Sequence, residues 1–286
     1  MNEVSIVRFF GNDIPNIHGS LQSFKNLQYI LQNEENFSFC KKIFIINRIV
    51  DKNIEKMMID EIKRYNFEYF VIPFKFNDFI KIFNEEKKYF YDEIESNPNN
   101  TEKFLKSINY LTNTNNARNK GIDLGFLYSK TVLILDGSCF LTKDLYFDFI
   151  NKNKNIKKDE QAIFIFPMYR ASNYEEINKS FKHIFWFEPQ IGMKNIKLKF
   201  DLNKVWPDDK VELLLRYGIQ GYWDEWKNND QKYKKNNLLK IYCKGVIRLP
   251  SNTNFDFKNN TLVPEKHLIR RAGLLSLLKY ALTKYE

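Results

Sequence analysis

Cysteine and histidine are scarce in this chain, three of each in 286 residues. Cys40, Cys139 and Cys243 are odd in number and far apart, so neither a disulfide framework nor a metal or redox spacing is present, and a reduced cytosolic setting is expected. His18, His183 and His267 show no pairing pattern, which argues against a histidine-based triad or a zinc site. No apolar run approaches the roughly 18 residues that span a bilayer. The stretch Met1-Asn2-Glu3-Val4 lacks the basic and apolar regions of a secretory signal, so a soluble intracellular protein is expected. Also missing is any glycine-rich P-loop or GxGxxG turn, so a phosphate cradle of that kind is excluded. With no internal repeat and no Pro/Gly linker, a single compact unit over 1–286 is expected.

What is present is 43% hydrophobic, enough for a full core, and carries a net charge of +10. Such a balance favours anionic partners. Lys and Asn are spread along the whole chain beside Ile and Phe, however, so part of the basicity is a compositional bias and nucleic acid is not expected as a partner. Val4–Phe10, Ile43–Asn47 and Tyr69–Pro73 read as strands; Ser20–Gln32 and Lys52–Tyr65 between them read as amphipathic helices. This alternation predicts an α/β fold with a parallel sheet and right-handed crossovers. Phe76–Tyr110 is expected to be helical, broken near Asn97-Pro98-Asn99-Asn100, and to form either a lid or a solvated helical pair. Asn151–Asp159 reads as a surface loop, Ala162–Pro167 as a strand, and Phe185-Trp186-Phe187 as the start of another. Beyond these, a helix is expected over Asp208–Tyr217, a strand within Leu238–Leu249 and a basic amphipathic helix over Pro264–Tyr285.

The informative stretch runs from Asn113 to Thr142. Thr131-Val-Leu-Ile-Leu135 is an apolar, β-branched run that stops at Asp136-Gly137-Ser138, as a central strand does where it empties into a crevice. Ala117–Tyr128 before it reads as a helix packed on that strand, which would carry Arg118 and Asn119 towards Asp136. Ligands of open α/β sheets bind outside the carboxyl ends of the strands.

The segment Asn116-Ala117-Arg118-Asn119-Lys120-Gly121-Ile122, followed by an apolar strand ending in Asp136, resembles the core of GT-A-fold nucleotide-sugar glycosyltransferases. In that family an ARNxG-type segment precedes a strand ending in an acidic DxD-type motif that holds a divalent metal on the donor diphosphate. The resemblance covers roughly residues 1–170; Gly137-Ser138 stand where the motif would continue, so the second carboxylate is missing. It implies a GT-A-like, mostly parallel sheet flanked by helices, with 1–170 as the nucleotide-binding core and 171–286 as the acceptor side. It also implies a nucleotide-activated donor, Mg or Mn, and a carbohydrate acceptor in capsule or surface polysaccharide assembly. Arg8, Asn12, Asp13, Arg118 and Asn119 would bind the nucleotide, with Arg48 at a comparable edge, and Asp136 would hold metal or ribose.

The residues themselves leave alternatives open. Asp136 can equally cap a turn, and Arg118 can staple its helix to the sheet through a buried ion pair. Ser138 and Asp144 are possible further oxygen ligands for a cation at Asp136. An acid/base role falls to a carboxylate, with Glu188 first and Asp208-Asp209 and Asp224-Glu225 as rivals. Tyr222, Trp223 and Trp226 would stack on a ligand or fill the core. Arg270-Arg271 with Leu268, Ala272, Leu275 and Leu282 would contact an anionic membrane or dock on the body of the protein. Two further functions fit the same crevice: ATP-dependent amide ligation of a sugar carboxylate through an acyl phosphate, and nucleotide-sugar binding without turnover.

Overall fold

The computed structural model describes residues 3–87, 98–171, 173–177, 188–203, 209–226, 237–250 and 263–285. Its first part alternates as expected: β1 (Val4–Phe10), α1 (Gln22–Asn33), β2 (Cys40–Asn47), α2 (Lys52–Arg64) and β3 (Glu68–Ile72). Asp51 caps α2 by accepting from the Asn53 N–H at 2.9 Å, which satisfies one of the orphan donors of the first turn. Next come α3 (Phe76–Glu86), a 3-10 turn (Pro98–Phe104), α4 (Leu105–Thr112), α5 (Thr114–Tyr128), β4 (Thr131–Asp136), β5 (Cys139–Phe140) and α6 (Lys143–Lys154). The remainder is β6 (Ala162–Phe166), β7 (Met168–Arg170), β8 (Gln190–Lys194), α7 (Asp209–Arg216), β9 (Leu239–Tyr242), β10 (Val246–Arg248) and α8 (Val263–Thr283).

Seven strands form the main sheet in the order β3-β2-β1-β4-β8-β6-β9. Only β8 among them runs antiparallel to its neighbours, so the sheet is mostly parallel, with helices on both faces. A three-stranded sheet, β5-β10-β7, stands beside it. Side chains alternate across β1. Val7 faces Ile45, Val132 and Ile134 in a core shared with α5 and α7. Val4, Ile6 and Phe10 face the opposite layer of α1, α2 and α6. From β1 the chain therefore moves outward to β2 and β3 along one face and returns by α5 on the other face to β4. That reversal between β1 and β4 is a topological switch point, where crevices form at the carboxyl edge of such sheets.

Several expectations change. The described parts of the 76–110 stretch, 76–87 and 98–110, are not a solvated pair: Phe79, Phe83, Phe104, Ile108 and Leu111 pack with Leu275, Leu278 and Leu282 of α8 into one core cluster. The tail helix thus spends its leucines on docking, because so many aromatic side chains on α3 and α4 need cover. Asn151–Asp159 is not wholly loop, since α6 runs to Lys154 and buries Phe149 and Ile150. Leu238–Leu249 holds two strands, β9 and β10, in different sheets. Residues 222–226 form a 3-10 turn in which Trp223 is fully buried and donates from Nε1 to the Ile219 carbonyl at 3.0 Å. The stretch Phe185–Phe187 lies outside the described residues. Among the described residues no helix is long and apolar enough to cross a membrane.

Beneath β1 lies a buried charge group. Glu34, at the end of α1, binds Arg8 Nη2 and lies 3.0 Å from Lys42 Nζ, and it accepts the Leu141 N–H at 3.0 Å. Burial pushes the Lys42 ammonium down, opposed by the Glu34 charge. Removing one member of such a group leaves the others as uncompensated buried charges. Glu34→Ala is expected to destabilise the fold by about 3–5 kcal/mol, read from the urea denaturation midpoint; a loss below about 1 kcal/mol would show that the group contributes little.

Candidate functional site

At the carboxyl end of β4, level with Phe9 of β1, stands Asp136. Its carboxylate is held from several sides. Arg118 Nη2 donates to Oδ1 at 3.1 Å, while Lys210 Nζ and Gln190 Nε2 donate to Oδ2 at 2.7 and 3.0 Å. The Asp136 N–H in turn donates to Gln190 Oε1 at 3.2 Å, so Gln190 grips both the side chain and the backbone. Burial opposes the charge of Asp136, but the positive charges of Lys210 and then Arg118 prevail and hold its carboxyl well below the usual carboxylate range.

Three elements deliver these partners. Arg118 sits in the first half of α5, packed between the Phe9 and Phe200 rings at 5.3 and 5.1 Å, and its Nη1 donates to Asn115 Oδ1 at 3.1 Å. Lys210 lies in the first turn of α7, 3% exposed, and its ammonium also lies 3.9 Å from Glu188 Oε2. Glu188 precedes the first residues of β8, with its side chain 14% exposed. Apolar residues Val211 and Leu213–Leu215 anchor α7 on the sheet and so fix Lys210.

Arg118, Asp136 and Glu188 are thus brought together, and the ion-pair alternative for Arg118 is the arrangement observed. Lys210 and Gln190 complete the group, although neither stood out in the sequence. A lysine opening a helix behind an Asp-rich turn, and an amide beside Glu188, were the only signals. Asp209 opens α7, but its side chain lies outside the described residues.

The remaining expected residues hold the loops of this edge in place. Asn119 clasps the 200 loop, donating to the Phe200 carbonyl at 2.9 Å and accepting its N–H at 2.8 Å. Asn12 donates to the Arg48 and Leu111 carbonyls at 2.8 and 3.2 Å and accepts the Val50 N–H at 2.8 Å. Asp13 accepts from the Ser23 N–H and hydroxyl at 2.8 and 2.6 Å; burial raises its carboxyl, opposed by those bonds. Arg48, at φ 46°, stacks on Tyr110 at 3.8 Å and donates to its carbonyl at 2.8 Å. Arg8 points to the opposite face, 1% exposed, bound to Glu34 and to the Cys139 carbonyl at 3.1 Å. Their side chains are engaged with the protein itself rather than gathered at Asp136.

A divalent cation does not fit this donor set. Both Asp136 oxygens are taken by cationic or amide donors, Asp144 is exposed on α6, and the described residues contain no group of three or more His, Cys, Asp or Glu that could hold a metal ion. Mg²⁺ requires several oxygen ligands in near-octahedral array. The arrangement instead offers a fixed, partly exposed carboxylate balanced by positive charge, able to orient an uncharged hydroxyl through a remaining lone pair.

Two outcomes follow. In a double-mutant cycle of Asp136→Asn and Lys210→Gln, a coupling of about 1–3 kcal/mol is expected in denaturation experiments, whereas simple additivity would show the contact to be idle. His18 in the β1–α1 loop accepts the Ile14 N–H on Nδ1 at 2.9 Å, and burial, helped by neighbouring arginines, lowers its pKa to about 4. The unfolded chain binds that proton near pH 6.5. Stability is therefore full above about pH 6.5 and falls as pH drops towards 4. An NMR titration of the His18 ring should show no midpoint above pH 5; a midpoint near 6.5 would contradict this.

No protein-family profile and no curated protein matches the chain. Among solved structures, the chain is similar to 4-diphosphocytidyl-2C-methyl-D-erythritol synthase from Anaerococcus prevotii, with 11% identity, coverage of 96% of both chains and a TM-score of 0.40. It is also similar to a mannosyltransferase from Pyrobaculum calidifontis in complex with GDP-mannose and Mn²⁺, with 8% identity, coverage of 98% of this chain and 72% of the other, and a TM-score of 0.41. At such scores neither likeness bears on which residues act.

Proposed function

We propose that the chain is a nucleotide-dependent transferase, moving a sugar from a nucleotide-sugar donor to an acceptor hydroxyl in surface-polysaccharide assembly. The observation that carries this reading is the place of the Asp136 group: at the switch point between β1 and β4, where open α/β sheets take nucleotides. Residues 1–170 form the donor side and 171–286 the acceptor side, with β8 and α7 bringing Gln190, Glu188 and Lys210 across.

In this reading Asp136, held by Arg118 and Lys210, accepts a hydrogen bond from a donor hydroxyl of the ribose or the sugar. Glu188 takes the proton of the acceptor hydroxyl, the acceptor oxygen bonds to the anomeric carbon, and the bond from that carbon to the phosphate oxygen breaks. The nucleoside diphosphate leaves with the electron pair. Asn12, Asp13, Arg48 and Asn119 shape the crevice by fixing the loops that wall it, and Arg8 supports β1 from beneath. The missing second carboxylate after Asp136 favours a second reading, in which the same crevice takes ATP to activate a sugar carboxylate for attack by an amine.

Thermal denaturation with nucleotides and nucleotide sugars, each with EDTA and with Mg²⁺, tests both. A ligand at about 100 times its Kd stabilises by about 2.7 kcal/mol. Stabilisation by UDP- or GDP-sugars that persists in EDTA, with loss of nucleoside diphosphate release in Glu188→Gln, is the expected result. Stabilisation by ATP alone would transfer the assignment to the ligase, and no stabilisation by any of them would overturn the nucleotide reading.

A further inference from the structure

The turn that carries Asp136 is held from the far side of the sheet. In the β1–β4 ladder Arg8 pairs with Leu135 and Phe9 with Asp136, so β1 fixes the approach to the turn. Side chains alternate along a strand, and that of Arg8 points away from the Asp136 carboxylate, towards Glu34 at the end of α1. Its Nη2 binds Glu34, while its Nε donates to the Cys139 carbonyl at 3.1 Å, just past the turn. Glu34 in turn accepts the Leu141 N–H at 3.0 Å. One strand thus sets where the turn begins, and its own arginine, with a glutamate from α1, sets where the turn ends.

The span between these anchors has little room to move. A side-chain carbon on Gly137 would meet the Phe10 ring at 2.7 Å and the Phe9 carbonyl at 2.8 Å, so the turn lies close against the end of β1. The Leu249 N–H donates to the Ser138 carbonyl at 2.8 Å, and Cys139 and Phe140 pair with Arg248 and Ile247 of β10. Asp136 needs this precision, because its two oxygens must meet Arg118, Lys210 and Gln190 at 3.1, 2.7 and 3.0 Å together. Glu34 itself is completely buried, and Lys42 Nζ stands 3.0 Å from its other oxygen. Lys42 also donates to the Glu35 carbonyl at 2.6 Å, which ties the end of α1 to β2. A buried group of charges contributes little net stability over apolar packing of the same volume. What it supplies instead is direction, since hydrogen bonds to charged groups fix both angle and distance.

We propose that Glu34, acting through Arg8 and the backbone of residues 139–141, is a positioning residue for the Asp136 site. It lies on the opposite face of the sheet from the Asp136 carboxylate and sets, through the turn, where that carboxylate stands. Its consequence for turnover rests on the function proposed above; its consequence for the contacts of Asp136 does not. Small displacements of a group that orients a substrate are costly to the rate, so the effect falls on kcat rather than on KM.

The test uses Glu34→Gln, which keeps an acceptor oxygen and loses the charge, and Arg8→Lys, which keeps a charge for Glu34 and loses the fork that also reaches the Cys139 carbonyl. Leu278→Ala, in the distant α8 cluster, is the control for lost stability alone. In each background the coupling between Asp136→Asn and Lys210→Gln is measured by urea denaturation. It should fall to about half or less in Glu34→Gln and Arg8→Lys and keep its wild-type size in Leu278→Ala. With the nucleotide sugar that best stabilises the wild type, kcat for nucleoside diphosphate release should drop about tenfold in the first two variants, with KM within about twofold. A coupling of wild-type size in those variants would overturn the positioning role whatever the rate, and would leave the proposed function standing. Lost coupling with an unchanged kcat would overturn the role in turnover. Lost coupling where the wild type releases nucleoside diphosphate from no sugar nucleotide would keep the hold on Asp136 and overturn the proposed function. If Glu34→Gln fails to fold, Arg8→Lys carries the comparison.

Discussion

Asp136 keeps its negative charge at the end of an apolar strand because Arg118 and Lys210 reach it from two different helices. An isolated carboxylate in such surroundings is costly, and one that is paired and hydrogen-bonded is not. The rest of the carboxyl edge follows from that requirement. α5 must lie close against β1 and β4, which Gly121 permits, since a side-chain carbon there would meet Val7 Cγ1 at 3.0 Å. The 200 loop must cover Arg118, which Asn119 secures. α7 must return to the sheet, and β8 must enter beside β4 in the opposite direction so that Gln190 meets both the backbone and the side chain of Asp136.

A related constraint explains why polar residues at strand exits do so much internal work. Loops leaving a sheet carry backbone N–H and C=O groups without ladder partners, and near the core these must be satisfied. Side-chain amides supply both a donor and an acceptor, so Asn12, Asn47, Asn113 and Asn119 each bridge segments distant in sequence. Asn113 also takes the left-handed conformation between α4 and α5, at φ 46°, which asparagine tolerates well. The same residue types read a base or a ribose in a ligand site, which is why sequence position alone points to the crevice without separating the two roles.

Positive charge then accumulates along this edge in two layers. Around Asp136 it is balanced by that carboxylate and by Glu188 nearby. Around His18 it comes from three arginines on β7, β10 and α8, held together by backbone pairing of the small sheet and by the contact of α8 with the β1–α1 loop.

The strand–helix alternation of residues 4–136 and the meeting of Arg118 with Asp136 were legible in the chain itself. A short, β-branched apolar run such as Thr131–Leu135, ending in Asp-Gly, reads as a buried strand, and helical segments between such runs favour parallel crossovers. Boundaries failed where polar sequence hides packing, as in α6, and where an aromatic-rich stretch gave no hint that α8 would cover it. Lys210 and Gln190 were not legible as partners of Asp136, because each is an ordinary polar residue in its own segment. Their meaning depends on distances set by packing: Lys210 lies within 2.7 Å of a carboxylate 74 positions earlier. Local sequence determines periodicity and burial, which are properties of neighbours along the chain. Charge pairing is a property of neighbours in space, and only the tertiary structure decides it.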